Sequence, residues 1–236
     1  MTYRRVHLMD RDIPDTPPPA NNHRLQLDMK RALIPISLLV FFVLYFYVRV
    51  PIWGLAILML WIPLYYMGVP IYTRYRWTLF EKEFAYRFPQ QDYKGLLAYY
   101  RSQWFLRQFG PKAPMLGKLG LIYSAMGRYR DAERILEAAV RFAIPGTGEK
   151  FMLNLAHVKY ELGKYNEARQ LYQRLLKRTP HLSGAANRIA MINAHTGTNL
   201  QEALEHLERN LPLATGEEQT RITEAIQSAR SQLGSV

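Results

Sequence analysis

The chain has 236 residues, with 31 Lys and Arg against 19 Asp and Glu, and it contains no cysteine. That length allows one or two domains, and the lack of cysteine excludes disulfides, thiolate metal sites and a thiol nucleophile. The basic excess lies before residue 131, where 18 Lys and Arg stand against 7 Asp and Glu. Because this half also holds the apolar segments, the charge favours anionic lipid headgroups over nucleic acid, and no nucleic-acid partner is predicted.

Residues 1–31 are predicted to form a flexible, basic, proline-rich arm. Its segment IPDTPPPANN at residues 13–22 favours extended polyproline conformation and offers no core. Two interpretations are open: a flexible tail, or a short peptide that becomes ordered against a partner.

Two uncharged apolar runs follow, ALIPISLLVFFVLYFYV at 32–48 and IWGLAILMLWIPLYYMGVPIYT at 52–73. As helices they would be roughly 25 Å and 33 Å long, and a bilayer needs about 20 residues. The short connection between them predicts a transmembrane helical hairpin over 32–73. A re-entrant hairpin and a hairpin buried in a soluble core are the alternatives.

Lys and Arg cluster before the first run and after the second, and only Arg49 lies between them. The positive-inside rule therefore predicts a protein with two spans in a bacterial inner membrane, with both termini cytoplasmic. The runs contain no ionisable residue of the kind that marks an ion path, so the hairpin is interpreted as an anchor or docking surface.

The second half of the chain repeats one pattern of small, aromatic and apolar residues. LGLIYSAMGRYRDAERILEAAVRFAIP at 119–145 and LAHVKYELGKYNEARQLYQRLLKRTP at 155–180 align with an offset of 36 residues, and IAMINAHTGTNLQEALEHLERNLP at 189–212 follows less strictly. Ala156 and Ala168 would let two helices approach closely. Gly163 would allow the turn between them, and Pro180 would end the second helix.

These offsets resemble the tetratricopeptide repeat family, whose units are helix pairs of about 34 residues. The resemblance implies an all-α fold, in which a two-helix transmembrane hairpin precedes a short solenoid with a C-terminal capping helix. Three repeats are expected over 113–215, and a capping helix and tail over 216–236. A linking helix pair over 74–112, from the segments 74–88 and 90–109, would be a degenerate repeat.

The family pattern also implies a partner-binding groove on the first helix of each pair. Its predicted residues are Lys150, Leu153, Asn154, His157, Tyr160, Glu161, Asn187, Arg188, Met191 and His195. Asn154 and Arg188 match two places of the family's carboxylate clamp, but Gly117, Leu121 and Gly184 do not match the others. An amphipathic helix and an extended peptide are both candidate ligands.

A second predicted surface is basic and interleaved with aromatic residues, and it would contact headgroups or an acidic partner. Its predicted residues are Arg74, Arg76, Lys94, Arg101, Arg107, Lys112 and Lys118. Alternatively, the aromatic residues are core and the charges a solvated face.

Motifs for catalysis are missing, since there is no phosphate-binding loop, no metal-spaced histidine cluster and no nucleophile elbow. The chain is therefore predicted to be no enzyme and to need no cofactor. Its predicted function is a membrane-anchored scaffold that binds an integral membrane protein complex and supports its assembly or stability. The alternatives are a membrane-shaping or tethering protein with a self-associating repeat domain, and a non-catalytic accessory subunit of a membrane enzyme.

Overall fold

A computed structural model describes residues 51–144, 146–180 and 182–234, together with 35–36, 39–40, 42–43, 45–47 and 49. The N-terminal arm, residues 1–31, lies outside the described residues, as does about half of the first apolar run. One compact unit ends at Pro111, and a second includes the residues from Lys112 onward.

Between Pro51 and Pro111, the first unit contains three helices: α1 (Ile52–Arg87), α2 (Tyr93–Ser102) and α3 (Trp104–Phe109). Both short helices pack against α1, and the core between them is largely aromatic. Its buried residues are Phe80, Phe84, Leu96, Tyr100 and Leu106. Asp92 begins α2 by accepting a hydrogen bond from the backbone nitrogen of Gly95 at 3.0 Å, as acidic N-cap residues commonly do.

The predicted helix over 90–109 is divided at Gln103. This residue is only 6% exposed, and its side-chain oxygen accepts a hydrogen bond from the guanidinium of Arg76 at 2.7 Å. Its backbone leaves the helical region, with ψ at 53°. The contact with α1 therefore satisfies a buried amide at the break between α2 and α3.

In the part of the chain that the structure describes, no helix is long and apolar enough to cross a membrane. The predicted localisation, with two spans in a bacterial inner membrane and cytoplasmic termini, is contradicted by this finding and is wrong. The second apolar run and the segment predicted as a helix at 74–88 belong to one continuous helix, α1, which ends at Arg87.

Among its described residues, the second unit contains three helix pairs and one further helix. The pairs are α4 (Lys112–Ala125) with α5 (Tyr129–Phe142), α6 (Glu149–Glu161) with α7 (Tyr165–Arg178), and α8 (Ser183–Thr196) with α9 (Leu200–Asn210). A 3₁₀ turn at Leu211–Leu213 leads to α10 (Glu217–Leu233), which packs on α8 and α9.

Each pair turns at a glycine in the left-handed region. Gly127, Gly163 and Gly197 have φ angles of 71°, 72° and 70°, a conformation that costs little only without a Cβ atom. The prediction that Gly163 forms the turn within its pair is confirmed.

Small side chains lie where the helices approach most closely. Ala156 and Ala168 are both 0% exposed. In the first pair, a Cβ atom added to Gly120 would lie 2.6 Å from Leu136 Cδ2. The core around α8 and α9 is completed by α10, whose buried residues are Ile222, Ala225, Ile226 and Ala229.

A buried cluster of charges joins the first pair to the second. The ammonium of Lys159 on α6 donates to Glu133 at 2.7 Å, Glu137 at 3.1 Å and Glu167 at 2.6 Å. Glu133 also accepts two bonds of 2.8 Å from Lys164. Because all three N–H groups of Lys159 are satisfied, the cluster links α5, α6 and α7 without an unpaired buried charge.

Candidate groove on the repeat helices

The candidate site is formed by polar and aromatic side chains of α6, α8 and α10. Tyr160 lies at its centre, with the guanidinium of Arg188 over its ring at 5.3 Å. His195 lies 6.2 Å from the ring of Tyr160 and stacks on Tyr165 with centroids 5.8 Å apart. The structure therefore brings together three of the predicted groove residues from two repeats.

A second contact crosses from α6 to the last helix. Arg221 on α10 donates to Glu161 at 2.5 Å and to Glu217 at 2.8 Å. Burial opposes the charge of Arg221, but the bonds to these two carboxylates outweigh burial and raise its pKa. This ion pair therefore links the second repeat to the final helix, between residues that are 60 positions apart in the sequence.

His157 lies beside this ion pair, with Nδ1 3.8 Å from Glu161 Oε1. Burial and the positive charge of Arg188 lower the pKa of His157, and the opposing effect of Glu161 does not compensate. The imidazole is therefore neutral at pH 7 and can donate or accept a hydrogen bond on the groove surface.

Asn187 is held by two neighbouring helices. Its side-chain oxygen lies 3.1 Å from His206 Nε2 on α9, and its side-chain nitrogen donates to Glu218 on α10 at 3.4 Å. Only 8% of Asn187 is exposed. Asn187 therefore supports the site from its buried side, and its amide group bonds to residues of the chain itself.

The remaining predicted groove residues have different surroundings. Met191 is 1% exposed and packs in the core of α8, α9 and α10, and Leu153 packs against the core between α7 and α8. Asn154 is half-buried on α6, whereas Lys150 is exposed, with its ammonium 5.2 Å from the Phe151 ring centroid. Arg188, Tyr160 and His157 are thus the better anchors for a ligand.

Phe151 occupies the space over Gly117 in the first repeat. A Cβ atom added to Gly117 would lie 2.4 Å from Phe151 Cε1, and the Phe151 side chain is buried. This ring fills the place beside α4 where the carboxylate clamp would have its first-repeat polar residue. The accessible part of the site therefore lies on α6, α8 and α10.

Sequence reasoning missed Arg221, Glu217 and Glu218, which belong to the helix assigned only as a cap. Arg221 follows Arg188 by 33 residues, close to one repeat period of about 34 residues. That spacing was the available signal that α10 continues the row of first helices.

The residues of the predicted basic surface are divided between the two units. Arg74 and Lys94 are exposed in the first unit, where Arg76 contacts Gln103 and Arg101 and Arg107 also have partners. In the second unit, the Lys112 ammonium lies over the Phe142 ring at 5.4 Å, and Lys118 has a partner within the chain. Contact with headgroups or an acidic partner stays a prediction.

Among the described residues, no group of three or more His, Asp or Glu side chains is placed to hold a metal ion. The chemistry that the described groove offers is recognition by hydrogen bonds, aromatic faces and paired charges.

Two family models described as tetratricopeptide repeat match the chain, at residues 115–144 and 153–218. No curated protein sequence matches it. A crystal structure of MamA is similar with a TM-score of 0.45 and 15% identity, covering 63% of this chain and 93% of that chain.

Proposed function

From the tetratricopeptide repeats that the chain contains, we propose that it is a scaffold that captures a segment of a protein partner on α6, α8 and α10. Repeats of this family are generally non-catalytic protein-interaction domains. The partner segment would contact Tyr160 of the second repeat and Arg188 of the third. By holding this segment, the repeats would support assembly of a larger protein complex.

The observation that carries this proposal is the row of aromatic and charged side chains on successive first helices. Tyr160 and His195 offer aromatic faces, and Arg188 offers a cation already held in place by its contact with Tyr160. Rigid aromatic and arginine side chains make disproportionately large contributions to protein interfaces.

The shape and charge of the site favour a mixed, amphipathic segment over a purely acidic one. The cations Arg188 and Arg221 alternate with Glu161 and Glu217, and Arg221 is already paired within the chain with both carboxylates, at 2.5 Å and 2.8 Å. A partner gains most by placing an apolar or aromatic side chain against Tyr160 and a hydrogen-bonding group near neutral His157.

Charge reversal at two positions tests the proposal. Arg188→Glu changes the groove, and Arg174→Glu makes the same change at an exposed position on α7, away from the proposed contact. Proteins that copurify with the tagged full chain from its native cells are quantified by mass spectrometry. We expect Arg188→Glu to reduce recovery of specific partners at least tenfold and Arg174→Glu to leave it within twofold.

Equal recovery with both variants, each shown by circular dichroism to keep its helices, would exclude α6, α8 and α10 as the binding surface. Arg188→Gln is the conservative companion, because it removes the charge but keeps a hydrogen-bond donor. An intermediate loss with Arg188→Gln is expected if the cation itself contributes to binding.

A further inference from the structure

Five large apolar side chains lie exposed on one stripe along the first half of α1. Its members are Trp53 (68% exposed), Leu60 (67%), Leu64 (64%), Met67 (65%) and Ile71 (65%). Their spacing of seven, four, three and four residues places all five on one face of a helix. Alternation of three and four residues is the spacing by which two helices pack along a shared seam.

The second half of the same helix shows what a covered face looks like in this chain. There, Phe80 and Phe84 are 1% and 5% exposed because α2 and α3 pack against α1. Single exposed apolar residues are ordinary, but a contiguous patch of large ones marks an interaction surface.

The positions of the stripe residues favour a second copy of the same helix in antiparallel orientation. Four of the five stripe residues are placed symmetrically about position 62, so that an antiparallel partner would place Leu60 against Leu64 and Trp53 against Ile71. Isologous contacts of this kind are the usual basis of two-fold symmetric dimers.

Charge also distinguishes the two orientations. Arg74 lies three residues after Ile71, at the next position of the same spacing. A parallel pair would bring two Arg74 side chains together in the seam, where like charges repel. In the antiparallel pair the two Arg74 residues lie at opposite ends. From the spacing, exposure and charge we propose that two copies of this chain associate through antiparallel packing of the α1 stripes.

The size of the stripe sets the strength of this dimer. Ten side chains, about two-thirds exposed and with roughly 150–250 Å² each, offer on the order of 1,000 Å² of surface. That is the lower limit for a specific interface. The expected dimer is reversible, with a dissociation constant on the order of micromolar. It would carry two copies of the proposed groove, but the inference does not depend on that groove.

The natural absence of cysteine makes disulfide cross-linking a clean test. Full-length Leu60→Cys and Leu64→Cys chains, carrying tags of different size, are expressed together and oxidised. We expect a disulfide-linked dimer that contains one chain of each kind, at least about tenfold more abundant than dimers of Tyr86→Cys. Tyr86 is the matched control, because it is 66% exposed on the same helix but lies outside the stripe.

Several outcomes would overturn the proposal. Linked Leu60→Cys pairs in excess of the mixed dimer would show a parallel arrangement. The absence of any linked dimer above the Tyr86→Cys level would show that no second copy lies on the stripe. In a chain that carries Leu64→Cys together with Leu39→Cys, exclusive cross-linking within one chain would assign the stripe to the chain's own first apolar run.

A second measurement does not depend on cysteine geometry. Sedimentation velocity of the full chain should show a concentration-dependent monomer–dimer equilibrium, which Leu60→Glu/Leu64→Glu shifts to monomer and Tyr86→Glu leaves unchanged. A monomer at every concentration of the unmodified chain would contradict the proposal. The stripe lies far along the sequence from Arg188, so the two proposals are tested separately. Arg188→Glu should reduce the recovery of partners without changing the monomer–dimer equilibrium.

Discussion

Replacement of Lys159 by methionine tests whether the buried charge cluster holds the first two repeats together. Methionine keeps most of the apolar stem and removes the ammonium, so that three hydrogen bonds of 2.7, 3.1 and 2.6 Å are lost. The side chain of Lys159 is 7% exposed and that of Glu133 is 11% exposed. Water therefore replaces little of the lost interaction at Glu133.

The expected loss of stability depends on the hydration and the remaining hydrogen bonds of each carboxylate after the ammonium is removed. The side chains of Glu137 and Glu167 are 43% and 56% exposed, so they regain hydration at little cost. Glu133 keeps two bonds from Lys164. Breaking a buried ion pair costs about 3–5 kcal/mol; with Lys164 still in place, we expect Lys159→Met to lower the free energy of unfolding by roughly 2–3 kcal/mol.

Urea unfolding followed by far-UV circular dichroism measures this loss. All four tryptophans, Trp53, Trp61, Trp77 and Trp104, precede Lys112, so their fluorescence reports on the first unit and serves as the internal control. The double variant Glu133→Leu/Lys159→Met removes the stranded carboxylate and should recover most of the loss. A Lys159→Met chain within about 0.5 kcal/mol of the unmodified protein would refute the reasoning.

Three further outcomes are expected. Acid should weaken the same cluster. Burial raises the pKa of Glu133, but hydrogen bonds from Lys159 and Lys164 outweigh burial and hold that pKa below 4.5. The contribution of Glu133 to stability is therefore present above pH 4.5 and is lost as pH falls through the lowered pKa. Urea titrations across this range should show a smaller pH dependence in Glu133→Gln. Gly117→Ala should destabilise the repeats by about 1–3 kcal/mol, because the new methyl group meets the Phe151 ring, whereas Gly184→Ala, with nothing within 4 Å, should cost nothing in thermal unfolding. Lowering the pH from 6.5 should destabilise the fold through His157, because its folded-state pKa is depressed and the unfolded chain takes up the proton first. His157→Gln should remove this contribution to the pH dependence of the free energy of unfolding.

The repeat architecture could be predicted from the sequence because it rests on local sterics. Gly163 and Gly197 are required where the backbone turns with positive φ, and Ala156 and Ala168 are required where helices touch. These constraints recur at a fixed spacing, so the positions of a few residue types are enough to indicate the helix pairs.

The details of the groove could be predicted only in part, because they depend on contacts between distant residues. Met191 occupies a groove position in the family pattern, but α9 and α10 enclose it. Arg221 and Glu161 are 60 residues apart, and no local pattern indicates that they meet. The family pattern shows which face of a helix a residue occupies, but it does not show whether neighbouring helices cover that face.

Hydropathy and the distribution of Lys and Arg led to the wrong localisation. The uncharged run at 52–73 predicted a span, but among the described residues no helix is long and apolar enough to cross a membrane. The break at Gln103 was also missed, since it depends on a hydrogen bond from Arg76, 27 residues away.

The most direct test of the proposed groove is site-specific photo-cross-linking in the native cell. A photoreactive amino acid at Asn154, on the proposed binding surface, is compared with the same residue at Gln173, which is exposed on α7. The account predicts a defined protein adduct from position 154 that disappears when Arg188→Glu is added, and no such adduct from position 173. The same adduct from both positions, or an adduct from 154 that is insensitive to Arg188→Glu, would contradict it.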